Sequence, residues 1–123
     1  MGQPKRKISY SISSPIRKEI DELTLKYRMK YSEYCTKIVV DLKSSEKLQK
    51  EFKKFVKFWQ LETNVEKHKN PVKWNYTDQI VTLSLPEETT KMINDLHWGF
   101  EIRHASEFIR YLIHFFYTRE SKA

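Results

Sequence analysis

The stretch KISYSI, residues 7–12, and its counterpart IVTLSL, residues 80–85, decide the fold of this chain. Apolar residues occupy every second position in both stretches, and the two series align at a constant difference of 73 in residue number. This period of two predicts two short strands, each with one buried face. Because a lone strand is not stable in water, each strand must pair with the other or with a strand of a second chain.

Two amphipathic helices are predicted to follow each strand. In the first copy Ser14 suits the N-cap and Pro15 suits the first helical position. The first helices share apolar positions at helical spacing, Ile20, Leu23 and Tyr27 against Ile93, Leu96 and Phe100. The second helices match at a difference of 74, so one residue is inserted in the later turn. Their stripes are Tyr34, Cys35, Ile38, Val39 and Leu42 against Phe108, Ile109, Leu112, Ile113 and Phe116.

The repeat divides the chain into three parts. Residues 1–42 form the first copy with a basic N-terminal arm, and residues 78–123 form the second copy. Residues 43–77 lie between them. The predicted fold class is mainly α with a short antiparallel two-stranded ribbon, in which a strand-helix-helix unit is duplicated around one intervening amphipathic helix. The strands pair within one chain or between chains, and we expect pairing within the chain.

The intervening segment predicts a helix from Lys43 to about Leu61, a stretch without glycine or proline. Its apolar side contains Leu48, Phe52, Phe55, Val56 and Trp59, and its opposite side contains Lys43, Lys47, Lys50, Lys54 and Lys57. The helix either continues the one before it or starts separately after Ser44-Ser45. We expect the apolar side to close the core; pairing with another chain and lying on a membrane surface are the alternatives. Residues 62–77 are predicted to be a connecting loop.

The composition favours a soluble protein with a polyanionic partner. Of the 123 residues 32% are charged and 39% are hydrophobic, and the net charge is +7. No apolar run is long enough to cross a bilayer and no signal-peptide pattern is present, so a cytoplasmic location is expected. The chain has one cysteine, scattered histidines and no glycine-rich phosphate loop. We therefore expect no enzyme, no catalytic residues, no cofactor, no metal and no small-molecule ligand.

Strand, helix, helix, with Pro86-Glu87-Glu88 opening one helix and Ser32-Glu33 or Ser106-Glu107 opening the next, resembles the ribbon-helix-helix family of DNA-binding proteins. In that family two copies pair their strands into an antiparallel ribbon that enters the major groove, while four helices interlock. The tandem arrangement in one small basic chain is also similar to a transcriptional regulator of a filamentous virus of archaea. This narrower resemblance, which rests on architecture and size, implies a location inside the host cell, on DNA.

The family resemblance implies that the polar face of each strand contacts base edges. The base-contacting candidates are Lys7, Ser9 and Ser11 in the first strand and Ile80, Thr82 and Ser84 in the second. Lys7 can donate to guanine, whereas Ile80 and the methyl group of Thr82 can contact a thymine methyl group. The expected DNA site is therefore asymmetric and leans towards A·T under the second strand. The alternative is that this face is only solvated, with Ile80 covered by another part of the protein.

The candidates for contacts to the DNA backbone come from three places. Ser32 and Ser106 are predicted to cap the second helices, where exposed N–H groups can bind phosphate. Lys5 and Arg6 form a basic arm before the first strand, and Lys50 and Lys54 belong to the lysine side of the intervening helix. An ordinary N-cap and a disordered arm are the alternatives.

These features together predict a transcriptional regulator, repressor or activator, that binds double-stranded DNA with sequence preference through its ribbon. Self-association on DNA is expected. Two alternatives remain open from the sequence. One is an accessory protein of plasmid partition or conjugation, and the other is an antitoxin-like protein-interaction module.

Overall fold

The computed structural model describes the backbone of residues 6–12, 14–66 and 79–122, and the side chains of residues 16–58 and 85–120. Within these ranges the elements run in the order β1 (Arg6–Ile12), α1 (Ser14–Tyr27), α2 (Tyr31–Ser44), α3 (Glu46–Glu66), β2 (Gln79–Leu85), α4 (Glu87–Gly99) and α5 (Ala105–Lys122). The first copy is thus β1-α1-α2 and the second is β2-α4-α5. Lys5 and residues 67–78 lie outside the described residues.

The helices of the two copies interlock. α1 packs against α5 and α2 packs against α4, so the first helix of each copy is covered by the second helix of the other. The strands follow the same rule, because β1 contacts α5 and β2 contacts α2. α2 and α5 also meet each other. One core is therefore shared by the two copies.

The predicted stripes of the second helices form that core. All five stripe residues of α2 are buried, and so are four of the five on α5. Phe116 packs against the core while partly exposed. In the first helices Ile20, Leu23 and Ile93 are buried and Leu96 is half-buried. Tyr27 departs from the prediction: its side chain is 37% exposed and lies at the surface, stacked on the ring of Tyr34.

The turns after α1 and α4 have the same backbone conformation. Arg28 and Glu101 are both left-handed, with φ of 55° and 60°. In each turn the amide after the left-handed residue donates to the carbonyl five residues back, Met29 to Thr24 at 2.9 Å and Ile102 to His97 at 3.0 Å. The left-handed residue itself donates to the carbonyl three residues back. This is the Schellman arrangement, which satisfies carbonyls at a helix end. The inserted residue therefore lies between Ile102 and the start of α5.

α3 is a separate helix rather than a continuation of α2. Ser45 ends α2 in an extended conformation, and its hydroxyl accepts a hydrogen bond from the Leu48 amide at 3.2 Å. Gln49 donates its amide group to the Leu42 and Lys43 carbonyls, so the end of α2 is also satisfied. The predicted loop over residues 62–77 is wrong at its start, because α3 continues to Glu66.

The apolar side of α3 closes the core, as expected. Phe52 and Val56 are fully buried, while Leu48 and Phe55 are half-buried. The ring of Phe52 makes edge contacts with three rings of the second copy, those of Phe100, Phe108 and Phe115. Since removing a buried phenylalanine side chain typically costs about 3–5 kcal/mol, α3 is part of the folded body rather than a linker.

The predicted fold class has to be corrected. We expected a mainly α fold with a short antiparallel two-stranded ribbon, in which a strand-helix-helix unit is duplicated around one intervening helix. The body described with its side chains is all-helical, with five helices, and Leu85, the strand residue whose side chain is described, is buried in its core. The physical reason is that a pair of seven-residue strands offers few inward positions and is only marginally stable alone, whereas each helix buries a whole face. We class the body as all-α and call β1 with β2 the strand pair.

Polar contacts also join the two copies. Glu19 of α1 and His114 of α5 lie 2.8 Å apart at a largely buried position, and Phe55 of α3 packs on the histidine ring. Near the end of α1, Lys26 and Tyr27 both donate hydrogen bonds to Glu120 of α5.

In the described part of the chain, no helix is long and apolar enough to cross a membrane.

The Ser45 cap generates a prediction about stability. Ser45→Ala removes the side-chain acceptor at the start of α3 and should lower the free energy of unfolding by about 1 kcal/mol. Ser44→Ala is the matched control: Ser44 is exposed at the end of α2, and its change should stay within about 0.5 kcal/mol. Urea unfolding followed by circular dichroism measures both variants. Equal losses in the two variants would show that Ser45 is not the cap.

Candidate nucleic-acid interface

The strand pair brings all six predicted base-contacting positions together. β1 and β2 are antiparallel and pair within one chain. In their register Lys7 lies opposite Ser84, Ser9 opposite Thr82, and Ser11 opposite Ile80. Residues directly opposite each other lie on the same face of a sheet, and the face alternates at each step along the strand. The six positions therefore form three facing pairs on a single face.

The burial of Leu85 shows which face this is. Leu85 is fully buried in the core and is paired with Arg6. Alternation puts Ile8, Tyr10, Leu83 and Val81 in the same set as Leu85, and the six predicted positions in the opposite set. The register thus assigns the predicted base-contacting positions to the face of the strand pair opposite to the one that contains Leu85.

The register also gives the strand pair a centre and two different ends. Ser9 and Thr82 are the middle residues of the two seven-residue strands, and they hold equivalent positions in the two copies. An approximate two-fold axis therefore passes between them. One end of the face contains Lys7 with Ser84, and the other contains Ser11 with Ile80. Lys7 and Ile80 hold equivalent positions in the two copies, so their chemical difference makes the two ends of the face unlike.

Ser32 and Ser106 lie in the first turns of α2 and α5, but neither is the N-cap. α2 begins at Tyr31 after the cap residue Lys30, and the Lys30 carbonyl accepts the Tyr34 amide at 2.9 Å. In α5 the His104 carbonyl plays the same part towards the Phe108 amide. The predicted N-caps are therefore wrong by two positions. The cause is the turn before each helix: it leads directly into the helix, which therefore begins before the serine is reached.

The corrected caps reveal two basic residues that the sequence reasoning missed. Lys30 and His104 are both exposed and occupy the same position in the two copies. Their side chains flank the helix starts where phosphate contacts were predicted. Glu33 works against phosphate binding at the start of α2. Its carboxylate is negative and accepts a hydrogen bond from the Lys30 amide at 3.0 Å, so one N–H group of that turn already has a partner. The signal that could have located Lys30 and His104 is the alignment of the turns after the first helices, because each residue follows its turn directly before the second helix.

The predicted basic arm is only partly described. Arg6 is the first residue of β1 and is paired with Leu85, so its position belongs to the set of Leu85 rather than to the set of Lys7. Its side chain and the whole of Lys5 are outside the described residues. Their assignment to the DNA backbone stays a prediction.

The lysine side of α3 is exposed as predicted. Lys47, Lys50, Lys54 and Lys57 are all exposed, and so is Lys43 at the end of α2. Among the described residues none of these five forms an ion pair, and Glu51 of the same helix is paired with Arg119 instead. From Lys47 to Lys57 the helix rises by about 15 Å. Lys47, Lys50, Lys54 and Lys57, called the lysine ridge below, therefore form a positive surface along α3.

Two observations bear on catalytic chemistry in the described residues. They contain no group of three or more histidine, cysteine, aspartate or glutamate side chains placed to hold a metal ion. Cys35 is completely buried, and this burial raises the pKa of its thiol to about 12. A thiol with that pKa stays protonated at neutral pH, and only the thiolate is a strong nucleophile. Cys35 is a small apolar core residue.

The buried thiol predicts a pH dependence of stability. The unfolded chain releases the Cys35 proton near pH 9 and the folded chain keeps it to about pH 12, so stability should fall as pH rises through this window. The loss should approach about 1.4 kcal/mol per pH unit. Urea unfolding between pH 9 and 10 should give a smaller slope for Cys35→Ala than for the natural chain. Equal slopes would show that the thiol is not protected.

No protein-family model matches the chain, and neither a curated protein nor a solved structure is similar to it. The geometry of this chain's own residues therefore has to support any function assigned to it.

Proposed function

We propose that this protein binds double-stranded DNA with sequence preference and acts as a transcriptional regulator. The observation that carries the proposal is the register of the strand pair. It groups Lys7, Ser9, Ser11, Ile80, Thr82 and Ser84 on one face, opposite the set that contains the buried Leu85. A protein that reads base edges through a strand pair needs its reading residues side by side on one face, and the register meets this requirement.

The dimensions and chemistry of this face suit the major groove. Paired strands lie about 4.8 Å apart, and the major groove is about 12 Å wide, so a two-stranded element fits inside it. The ammonium group of Lys7 donates to guanine O6 or N7. Hydroxyl groups of serine and threonine donate or accept and therefore discriminate less strongly. Specificity should concentrate at the two ends of the face.

The two ends support different base preferences. The end with Lys7 favours guanine, and the end with Ile80 favours the methyl group of thymine. The centre, with Ser9 opposite Thr82, has short side chains that contact bases or leave selection to the shape of the duplex. The proposed DNA site is therefore two unlike half-sites about an approximate two-fold axis, instead of a palindrome.

Phosphate contacts would fix the protein on the duplex. The first turns of α2 and α5 provide backbone N–H groups, the hydroxyl groups of Ser32 and Ser106, and the basic side chains of Lys30 and His104. The lysine ridge of α3, including Lys50 and Lys54, adds a sequence-independent attraction. The net charge of +7 agrees with such a partner. Repression or activation would follow from where the DNA site lies relative to a promoter.

Selection from a random duplex pool tests the proposal. The natural chain should enrich one motif, and its affinity should fall steeply as salt rises. Ser9→Ala combined with Thr82→Ala should relax the motif more than it weakens binding to random DNA. Lys50→Ala combined with Lys54→Ala should weaken binding to all sequences and reduce the salt slope by about 1.8, since each phosphate contact contributes about 0.9.

The matched control for the ridge is Lys18→Ala combined with Lys91→Ala. Both lysines are exposed and lie at equivalent positions of α1 and α4, so the charge removed is the same. This control should change the salt slope by less than half as much as the Lys50 and Lys54 pair. Failure of the natural chain to enrich any motif would refute the proposed function. Equal losses on every sequence from the strand variants would refute the role of the strand pair.

The unlike ends give a second prediction. Ile80→Lys makes the two ends chemically equivalent, because Ile80 and Lys7 hold the same position in the two copies. The motif selected by this variant should be closer to a palindrome, with guanine gained in the half-site under β2. Sequencing the selected pools of the two proteins measures the change. An unchanged motif would mean that Ile80 does not contact bases.

A further inference from the structure

Phe58 is an exposed aromatic side chain at the edge of the lysine ridge. Its side chain is 56% exposed, whereas Phe52 and Phe55 of the same helix pack in or against the core. Phe58 follows Lys54 by four residues and Phe55 by three, and residues at these spacings are neighbours on a helix surface. The Phe58 ring therefore lies between the ridge and the side of α3 that packs on α5.

An open hollow of about 410 Å³ lies beside this ring, between α3 and α5. Phe58 lines it together with Phe55 and Phe115, whose ring centroids are 5.3 Å apart in an edge contact. Aromatic surface from both helices therefore borders the hollow. The polar residues of its lining are Glu51, Lys54, Thr118 and Arg119.

The charge around the hollow is positive. Glu51 is the acidic residue of the lining, and its carboxylate is already paired with Arg119. Lys54 at the rim has no ion pair within the described ranges, and the same holds for the other lysines of the ridge. The acidic side chain is thus neutralised within the protein, while the positive charge of the ridge is not.

We infer that this surface binds single-stranded nucleic acid. Successive phosphates would follow the lysine ridge, and an unpaired base would stack on Phe58 at the hollow. Proteins hold single strands by combining positive charge along the backbone with aromatic rings on which bases stack. The bases of a duplex already stack on each other, so a duplex would use the lysines but not the ring. The inference goes beyond duplex binding by the strand pair and does not rest on it.

Two other polyanions fit this surface less well. A helix that lies on a membrane turns a wide apolar face to the lipid, but the apolar side of α3 is in the core, where Phe52 and Val56 are fully buried. An acidic peptide would pair with the ridge charges without using the exposed ring. The combination of unpaired lysines with one exposed ring beside them favours a strand that carries both phosphates and flat bases.

Fluorescence anisotropy with a labelled oligothymidine of about 12 nucleotides tests the inference, because single-strand sites commonly span about 4–16 nucleotides. Phe58→Ala should weaken binding about fivefold or more, as expected for the loss of one stacked base. Phe58→Leu should weaken it similarly, because an aliphatic side chain does not stack, whereas Phe58→Tyr keeps the ring and should bind like the natural chain. A random duplex should bind Phe58→Ala and the natural chain equally. Circular dichroism checks that the three variants stay folded.

The matched aromatic control is Trp98→Ala. Trp98 is 64% exposed on α4 and is not among the residues that line the hollow, so its removal should leave oligothymidine binding unchanged. Lys54→Gln combined with Lys57→Gln should weaken single-strand binding and reduce its salt slope by about 1.4, since each phosphate contact contributes about 0.7. The loss in Phe58→Ala should appear with oligouridine as well, and the ratio of the two affinities distinguishes RNA from unpaired DNA as the preferred strand.

An unchanged affinity of Phe58→Ala for oligothymidine, or an equal loss in Trp98→Ala, would overturn the inference. Competition by polyglutamate or by anionic phospholipid vesicles, at equal charge, as effective as competition by unlabelled oligothymidine would overturn it too, because the ring would then add nothing. Ser9→Ala combined with Thr82→Ala should leave single-strand binding unchanged. Failure of the Phe58 test leaves the selection of a duplex motif unaffected, so the two proposals can fail separately.

Discussion

The structure depends on the packing of each first helix against the second helix of the other copy. α1 lies on α5 and α4 lies on α2, and these contacts are more extensive than those between the two helices of one copy. An isolated strand-helix-helix unit would expose Ile20, Leu23 and most of its second-helix stripe to water. Burying apolar surface contributes about 25 cal/mol of stabilisation per Å², so one shared core is more stable than two separate units that leave their stripes exposed. The apolar pattern is present in two copies because both are needed to build one core.

The shared core also determines what happens at the strands. Each strand contacts the second helix of the other copy, so the interlocked helices bring β1 and β2 side by side in antiparallel order. The buried Leu85 then fixes which face is turned inwards. Selection for one core explains why the buried positions of the copies agree. The outward positions carry no such restraint, and there the copies differ, as Lys7 and Ile80 do.

The sequence predicted those features that depend on local periodicity. The stripes of α2 and α5 and the apolar side of α3 follow from spacing alone, and their residues are buried with the exceptions described. The helix starts were displaced because the Schellman turns, and not the serines, determine where α2 and α5 begin. The end of α3 was placed too early because residues 62–66 are mostly polar but contain no helix-breaking residue.

Other features depend on contacts between distant parts of the chain and could not be read from spacing. Tyr27 was expected in the core, yet its equivalent Phe100 is buried while Tyr27 is partly exposed beside Glu120. His97 gave no sequence signal, although its ring is buried and its Nδ1 lies 2.7 Å from the Ile102 carbonyl. The register of the strand pair likewise comes from the tertiary packing. That register turned six separate candidate residues into one face.

The most direct test of the account is to map where a bound duplex touches the backbone. Amide chemical shifts of the isotope-labelled chain would be compared by NMR before and after addition of its selected duplex. The account predicts the largest changes in β1, in β2 and in the first turns of α2 and α5, with smaller changes along the lysine ridge of α3. Changes confined to α3, with the two strands unaffected, would contradict the claim that the strand pair reads the DNA.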